Sequence, residues 1–348
     1  MSRLHVVSGK GGTGKTTVAA ALALALATEG RRTLLVEVEG RQGIAQVFET
    51  EALPYEERKI AVAPGPDPRG ASRGDSAGGG GTPRAGEVHA LAIDAERALL
   101  DYLQMFYKLG GAGRALKKLG AIDFATTIAP GLRDVLLTGK ACEAVRRKDK
   151  RGRYVYDAVV MDAPPTGRIT RFLNVNDEVA GLAKIGPIHN QAQAVMRVLK
   201  SPETAVHLVT LLEEMPVQET VDGVAELRAA GLPVGGVVIN MTRPEVLGTG
   251  EVDIAANGAR RGIAEALAGA GLSGGRRGAA GVTWADGLID PLLEEAGEHA
   301  QRVDLERTGH AELAGLGLPT YELELLPEGV DLAGLYRLAR DLRKQGPI

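Results

Sequence analysis

A glycine-rich segment near the first residues constrains the fold more than any other feature of the chain. Residues 9–17 read GKGGTGKTT. They follow an apolar segment (residues 4–7) and continue into an Ala/Leu-rich segment (residues 15–28). Glycine, four residues and then Gly-Lys-Thr is the pattern of a phosphate-binding loop between a strand and a helix. Glycines let the backbone wrap a phosphate, and the first N–H groups of the following helix point at it. The segment therefore predicts a nucleotide site directly after the first strand.

The motif also predicts the roles of its residues. We expect Lys15 to neutralise the β- and γ-phosphates of ATP and the Thr16 hydroxyl to ligate Mg²⁺. The other loop residues expected to contact the nucleotide are Gly11, Gly12, Thr13, Gly14 and Thr17.

Beyond the loop, continuous apolar runs alternate with helical segments. This pattern predicts an α/β fold with a mostly parallel sheet covered by helices on both faces. Glu39, Asp162 and Asn240 each stand at the end of a predicted strand. Because ligands bind at the carboxyl ends of such strands, we expect these residues to meet Lys15 in one crevice, with Asp162 near the Mg²⁺. Glu37 is the alternative to Glu39 as the catalytic carboxylate, but it is predicted to lie inside the strand.

Two segments carry a resemblance to a known family. Lys10 directly follows the first glycine of the loop, and KGGTGKTT resembles the deviant loop of the ArsA, MinD, ParA and nitrogenase-iron-protein ATPases. Residues 162–173, DAPPTGRITRFL, are similar to a segment of the ArsA family, which includes arsenite-pump ATPases and ATPases that target tail-anchored membrane proteins. The chain most resembles the actinobacterial "anion-transporting ATPase" branch, apart from residues 64–86 and 248–281.

The resemblance implies a P-loop NTPase of the deviant-Walker-A type with helical insertions. It implies a MgATP-hydrolysing dimeric switch, formed with a second copy or a paralogous ATPase. In that family the residue like Lys10 reaches the partner's nucleotide, and the one like Glu39 orients the attacking water. Asn240 would contact adenine, with Pro327 in a loop beside the base.

The chain departs from the family pattern at two places. Glu39 stands where the family has aspartate, which adds a methylene to the carboxylate. Cys142 is the single cysteine, so one chain cannot supply the family's paired zinc cysteines or its arsenite-binding trio. The name "arsenite pump" would therefore mislead.

Composition excludes several other classes. The formal net charge of −3 gives no basic field for nucleic acid. A single cysteine fits a reducing cytoplasm, and no apolar run is long enough for stable membrane insertion. We expect one ATPase domain over residues 1–348, with a disordered insertion (64–86), a helical subregion (95–147) and a flexible Gly/Ala-rich insertion (248–281).

Several alternatives remain at this point. The protein could be a ParA/MinD-like positioning ATPase, a nucleotide sensor with little hydrolysis, or a ligand-responsive regulatory partner. Residues 331–344 form an amphipathic helix that would either dock on the sheet or touch a membrane. Residues 95–109 are apolar around most of the helix, which implies burial in the fold or a groove for an apolar client. Arg168 and Arg171 would sense the γ-phosphate or pair with carboxylates.

Overall fold

A computed structural model describes residues 2–63, 85–107, 130–182, 187–244, 260–267, 269–270 and 284–346. The chain groups into two compact units. The first comprises Met1–Leu211, Met215–Thr242 and Leu316–Ile348, and the second Leu212–Glu214 and Arg243–Gly315. The predicted insertion at 64–86 lies outside the described residues except for its last two positions. One ATPase domain over 1–348 stays a prediction.

Within the described residues of the first unit, eight strands form one sheet in the order β3-β4-β2-β5-β1-β6-β7-β8. Their bounds are β1 Leu4–Gly9, β2 Arg32–Glu37, β3 Arg58–Val62, β4 Glu87–Ala92, β5 Ala158–Asp162, β6 Thr204–Thr210, β7 Val234–Thr242 and β8 Thr320–Glu324. Neighbouring strands are parallel except β3, which pairs antiparallel with β4 at one edge. The prediction of a mostly parallel sheet is confirmed.

Helices of the first unit cover both faces of this sheet, as predicted. The helices of the first unit are α1 Lys15–Leu26, α2 Gly43–Val47, α3 Ala95–Tyr107, α4 Pro130–Arg146, α5 Thr166–Leu182, α6 Pro187–Leu199, α7 Glu214–Ala229 and α10 Leu332–Lys344, and those of the second are α8 Arg260–Leu267 and α9 Trp284–Ala314. Alternate strand residues point to opposite faces, so Val7 and Leu35 belong to the core under α1, α2 and α10. Val6 and Leu34 belong to the core under α3 to α7.

Helix α1, directly after the glycine-rich loop, is enclosed by protein. All residues from Val18 to Leu24 are buried, and α10 packs along α1 through Leu335, Leu338 and Leu342. Asp331 caps α10 by accepting a hydrogen bond from Gly334 N at 2.7 Å. The apolar stripe of residues 331–344 is therefore buried, as the docked alternative requires.

Two strand boundaries differ from the predicted ones. Strand β2 ends at Glu37, so this carboxylate lies at the strand end rather than inside the strand. Strand β7 continues past Asn240 to Thr242 across an irregularity in its pairing with β8.

The second unit is helical within its described residues. Helix α9 has buried side chains at Ala300, Val303 and Leu313, and Arg243 Nη1 lies 3.0 Å from Glu306 Oε1. Part of the insertion predicted at 248–281 is helix α8, and most of its remainder lies outside the described residues. No helix in the described parts of either unit has the length and apolar character needed to cross a bilayer.

Candidate functional site

Two positions in the loop between β1 and α1 have no room for a side chain and therefore require glycine. A Cβ on Gly9 would collide with the Val209 carbonyl on the neighbouring strand β6. Gly14 has φ +83, and a Cβ there would collide with the Asn240 side-chain amide. Thr13 holds the turn closed, because its hydroxyl donates to the Lys10 carbonyl at 2.9 Å. The geometry of this loop therefore requires glycine at positions 9 and 14.

The loop is open to solvent at the start of α1. Gly11 and Gly12 are exposed, and an added Cβ at either would meet no atom within 4 Å. Gly14 is the N-cap of α1 and provides no side chain to bind the first N–H groups of the helix. Free N–H groups at a helix start favour a bound anion such as phosphate. Thr17, in the first turn, is half-buried.

Thr16 and Asp162 meet at the side of this loop. Strand β5 lies next to β1 and pairs Asp162 with Val7, which brings the carboxylate to Thr16. The Thr16 hydroxyl donates to Asp162 Oδ2 at 2.7 Å. Hydroxyl and carboxylate oxygens are the hard ligands that Mg²⁺ prefers. The pair therefore fits the predicted metal position.

The electrostatics of Asp162 link it to the other charged residues of the site. Burial raises the pKa of Asp162 to about 6, against the lowering effects of the Thr16 hydrogen bond and the Lys15 charge. The negative charges of Glu37 and Glu39 raise this pKa further. The fold thus brings Lys15, Glu39 and Asp162 into one electrostatic neighbourhood, as the strand-end argument predicts.

Glu39 lies in the loop after β2. Its side chain is 22% exposed, and its Oε2 is 3.7 Å from Nε of the well-exposed Arg41. A carboxylate that reaches solvent at this edge can accept a hydrogen bond from a water molecule.

Lys10 has a partner within its own chain. Its Nζ lies 2.7 Å from Oε1 of Glu219 on α7, and both side chains are partly exposed. Reasoning from sequence did not find this pair, because the two residues come from distant segments.

Asn240 contacts the glycine-rich loop directly. Its Nδ2 donates to the Thr13 carbonyl at 2.9 Å, and the residue is buried. Pro327 is exposed in the loop after β8, and the bond from Leu325 N to Thr242 O places that loop beside the end of β7. Adenine contacts by Asn240 and Pro327 stay predictions.

Glu37 is the residue of this site that the sequence argument set aside. It is 2% exposed, and its carboxylate accepts hydrogen bonds from Gln42 N and Ile44 N. The signal in the sequence was a second carboxylate two residues before Glu39. Arg168 Nη2 lies 3.9 Å from Asp134 Oδ2, as the carboxylate-pairing alternative predicts.

A separate cavity of about 850 Å³ lies among α3, α4 and α6. Its walls include Ala98, Val135, Leu136, Gly139, Lys140 and Gln191. Gln191 Oε1 is buried without a hydrogen-bond partner. On α3, Leu99 is buried against the core, as internal packing of residues 95–109 predicts. The side chains of Met105 and Phe106 lie outside the described residues.

A strand, glycine-rich loop and helix beside a carboxylate on the neighbouring strand define a P-loop nucleotide-binding protein. Residues 4–262 match the family described as "CobQ/CobB/MinD/ParA nucleotide binding domain". ATPase BagA of Mycobacterium tuberculosis is 50% identical over 99% of this chain and 93% of its own length. The chain belongs to this nucleotide-binding family and, within it, to the ArsA-type ATPases.

More distant relatives carry the names of that group. The arsenical pump-driving ATPase of Acidiphilium multivorum is 26% identical over 94% of this chain and 52% of its own length. ATPase GET3 of Eremothecium gossypii is 23% identical over 67% of this chain and 70% of its own length.

Proposed function

We propose that the protein is a MgATP-hydrolysing switch that works as a dimer and couples its nucleotide state to a partner or ligand. The observation that carries this proposal is the Thr16–Asp162 pair beside the open glycine-rich loop, at the edge that also holds Lys15 and Glu39. The single cysteine supports a reducing cytoplasm as its location.

The residues at this edge fit ATP and Mg²⁺ by their chemistry. Thr16 and Asp162 would hold the metal, and the loop N–H groups and Lys15 would hold the phosphates. Bound Mg²⁺ would neutralise charge on the phosphate oxygens. Positioning and electrostatic stabilisation supply most of the catalysis in phosphoryl transfer, so few residues need to change protonation.

Glu39 would orient the attacking water by accepting a hydrogen bond from it. Its extra methylene, relative to the family's aspartate, places the carboxylate farther from the backbone. Lys10 would add positive charge to the nucleotide of the second subunit.

Phosphate release by the purified protein, with and without Mg²⁺, tests the proposal. Lys15→Ala should abolish ATP binding, because a glycine loop without its lysine leaves the phosphate charge uncompensated. Glu39→Gln should bind ATP normally and turn over about a hundredfold more slowly, as expected when an oriented water is lost. Lys59→Ala and Glu51→Gln remove surface charges of β3 and of the segment before it, and both controls should behave as wild type.

Two results would contradict the proposal in different ways. ATP binding without phosphate release would support the nucleotide-sensor alternative. Unchanged turnover in Glu39→Gln would show that another group positions the water.

The cavity among α3, α4 and α6 is where we propose that a small molecule with both apolar and polar groups binds. Its lining mixes apolar residues with charged ones such as Glu143 and Arg146, and the unpartnered Gln191 oxygen offers an acceptor. Binding of the amphipathic, anionic dye 8-anilinonaphthalene-1-sulfonate tests this, and its fluorescence is the readout. Ala194→Trp on the cavity wall should lose dye binding, whereas the exposed Gln193→Trp on the same helix should keep it. Equal dye binding by both variants would exclude the cavity.

A further inference from the structure

Glu37 is a buried carboxylate whose hydrogen bonds reach across a loop. As the last residue of β2, it is 2% exposed and pairs in register with Asp162 on β5. Its Oε1 accepts from Gln42 N at 2.5 Å and its Oε2 accepts from Ile44 N at 3.2 Å. These N–H groups lie at the start of α2, where no carbonyl of the preceding turn is available to them. One side chain therefore binds two backbone groups on the far side of residues 38–41.

The side chain of Gln42 also holds the start of α2 in place, by hydrogen bonds to Leu53. Its Oε1 accepts from Leu53 N at 2.6 Å, and its Nε2 donates to the Leu53 carbonyl at 3.3 Å. Gln42 itself has φ +57, a left-handed conformation that is held by these bonds. Residues 38–41 are thus a short loop with both ends fixed, and Glu39 lies inside it.

The far end of this loop also touches the metal-side threonine. A Cβ on Gly43 would lie 3.2 Å from Thr16 Cγ2 and 3.5 Å from Thr16 Oγ1. The loop end therefore rests against Thr16, whose hydroxyl binds Asp162. Gln42 and Gly43 therefore connect the loop that holds Glu39 to the Thr16–Asp162 pair.

Glu37 is badly placed to act on water itself. Both of its oxygens accept backbone hydrogen bonds, and almost none of its surface reaches solvent. We propose that Glu37 is a positioning residue, which closes residues 38–41 into a fixed loop and so sets the position of Glu39 for hydrolysis. This inference rests on the proposed function, because it assigns the geometry of the same reaction.

Steady-state kinetics with ATP test the inference. Glu37→Gln keeps an acceptor oxygen but loses the charge that strengthens both hydrogen bonds, so kcat should fall on the order of tenfold. KM for ATP should stay within about twofold, because the phosphate loop is not altered. Glu51→Gln removes an equal charge from the exposed segment after α2 and should leave both constants unchanged.

A double-mutant cycle separates positioning from a general structural effect. If Glu37 acts through Glu39, the Glu37→Gln/Glu39→Gln protein should turn over within about twofold of Glu39→Gln alone. A further tenfold loss in the double variant would overturn the inference, as would an unchanged kcat or a raised KM in Glu37→Gln.

Hydrogen–deuterium exchange provides a readout that does not need hydrolysis. The peptide over residues 38–47 should lose amide protection in Glu37→Ala and keep it in Glu51→Gln, while thermal melting confirms that both proteins fold. Unchanged protection in Glu37→Ala would overturn the inference. A wild-type protein that releases no phosphate would defeat the proposed function instead, and exchange alone would then decide whether Glu37 fixes the loop.

Discussion

Lys10 and Glu219 form an ion pair within one chain, with Nζ 2.7 Å from Oε1. The lysine that the family resemblance assigns to a partner's nucleotide is therefore bound to its own helix α7 in this structure. Action on a second subunit requires Lys10 to leave Glu219. Partly exposed ion pairs of this kind contribute about 0.2–1 kcal/mol to stability. A contact between Lys10 and a bound nucleotide can therefore replace the pair with Glu219.

We predict that Lys10→Ala retains ATP binding but loses ATP-dependent dimerisation and most phosphate release. Glu219→Gln frees the lysine and should lower the ATP concentration needed for dimerisation by up to about fivefold, the equivalent of about 1 kcal/mol. Sedimentation with and without a non-hydrolysable ATP analogue measures both effects. Lys59→Ala on the surface serves as the charge control. The bridging role is wrong if the association state never responds to nucleotide, for this chain alone and for a co-expressed paralogous pair.

Asn240→Ala should weaken the binding of ATP and GTP alike. The hydrogen bond that the variant loses joins Asn240 to the Thr13 carbonyl, and such a bond contributes about 0.5–1.5 kcal/mol, or roughly two- to tenfold in affinity. Isothermal titration with both nucleotides gives the answer, with the exposed Gln193→Ala as control. A loss confined to ATP would instead support the adenine contact that the resemblance implies.

Leu338→Ala should destabilise the first unit by about 2–5 kcal/mol, because it opens a cavity between α10 and α1. Leu338 is 2% exposed, whereas Leu332 of the same helix is 37% exposed. Leu332→Ala should therefore change stability by no more than about 0.5 kcal/mol. Urea unfolding of both variants measures the difference. Equal effects would mean that the stripe of α10 is not buried in solution.

The buried histidine pair of β1 and β6 predicts a loss of stability in acid. A ring nitrogen of His5 lies 3.1 Å from one of His207, and burial lowers their pKa values from 6.5 to about 4 and about 3. Between these pH values the two histidines are protonated in the unfolded chain but neutral in the native protein. The free energy of unfolding therefore falls as pH drops from about 6.5 towards 4.

The test replaces one histidine and follows unfolding across this range. His207→Phe should reduce the slope of the unfolding free energy against pH by about one proton. The exposed Gln193→Ala, which removes no titratable group, should leave the slope as in wild type. An identical slope in His207→Phe would show that this histidine does not contribute to the acid sensitivity.

The sequence predicted the sheet and the loop because both follow from local patterns. Buried parallel strands are continuous apolar runs, and the glycine motif joins a strand to a helix at a known spacing. Strand β3 was missed because its RKIAV segment is short, partly exposed and paired only at the sheet edge. Helix α6 was not predicted, although Pro187 at its first position is itself a helix-start signal.

Local sequence patterns could not predict the contacts between side chains of distant segments. Strands β2 to β6 lie between Lys10 and Glu219 in the sequence, and nothing in either segment indicates that the two side chains meet. The bonds from Glu37 to Gln42 and Ile44 span only a few residues, but they depend on a left-handed conformation at Gln42, which is not a glycine. Their geometry comes from the fold rather than from local propensity.

The packing of α10 on α1 has a consequence for synthesis on the ribosome. Helix α1 leaves the ribosome early with the complete glycine-rich loop, but α10 is made only after every strand of the sheet. Until α10 emerges, the side of α1 that packs against α10 lacks its native neighbour. The growing chain therefore carries the whole phosphate motif long before it can hold that motif in its final shape.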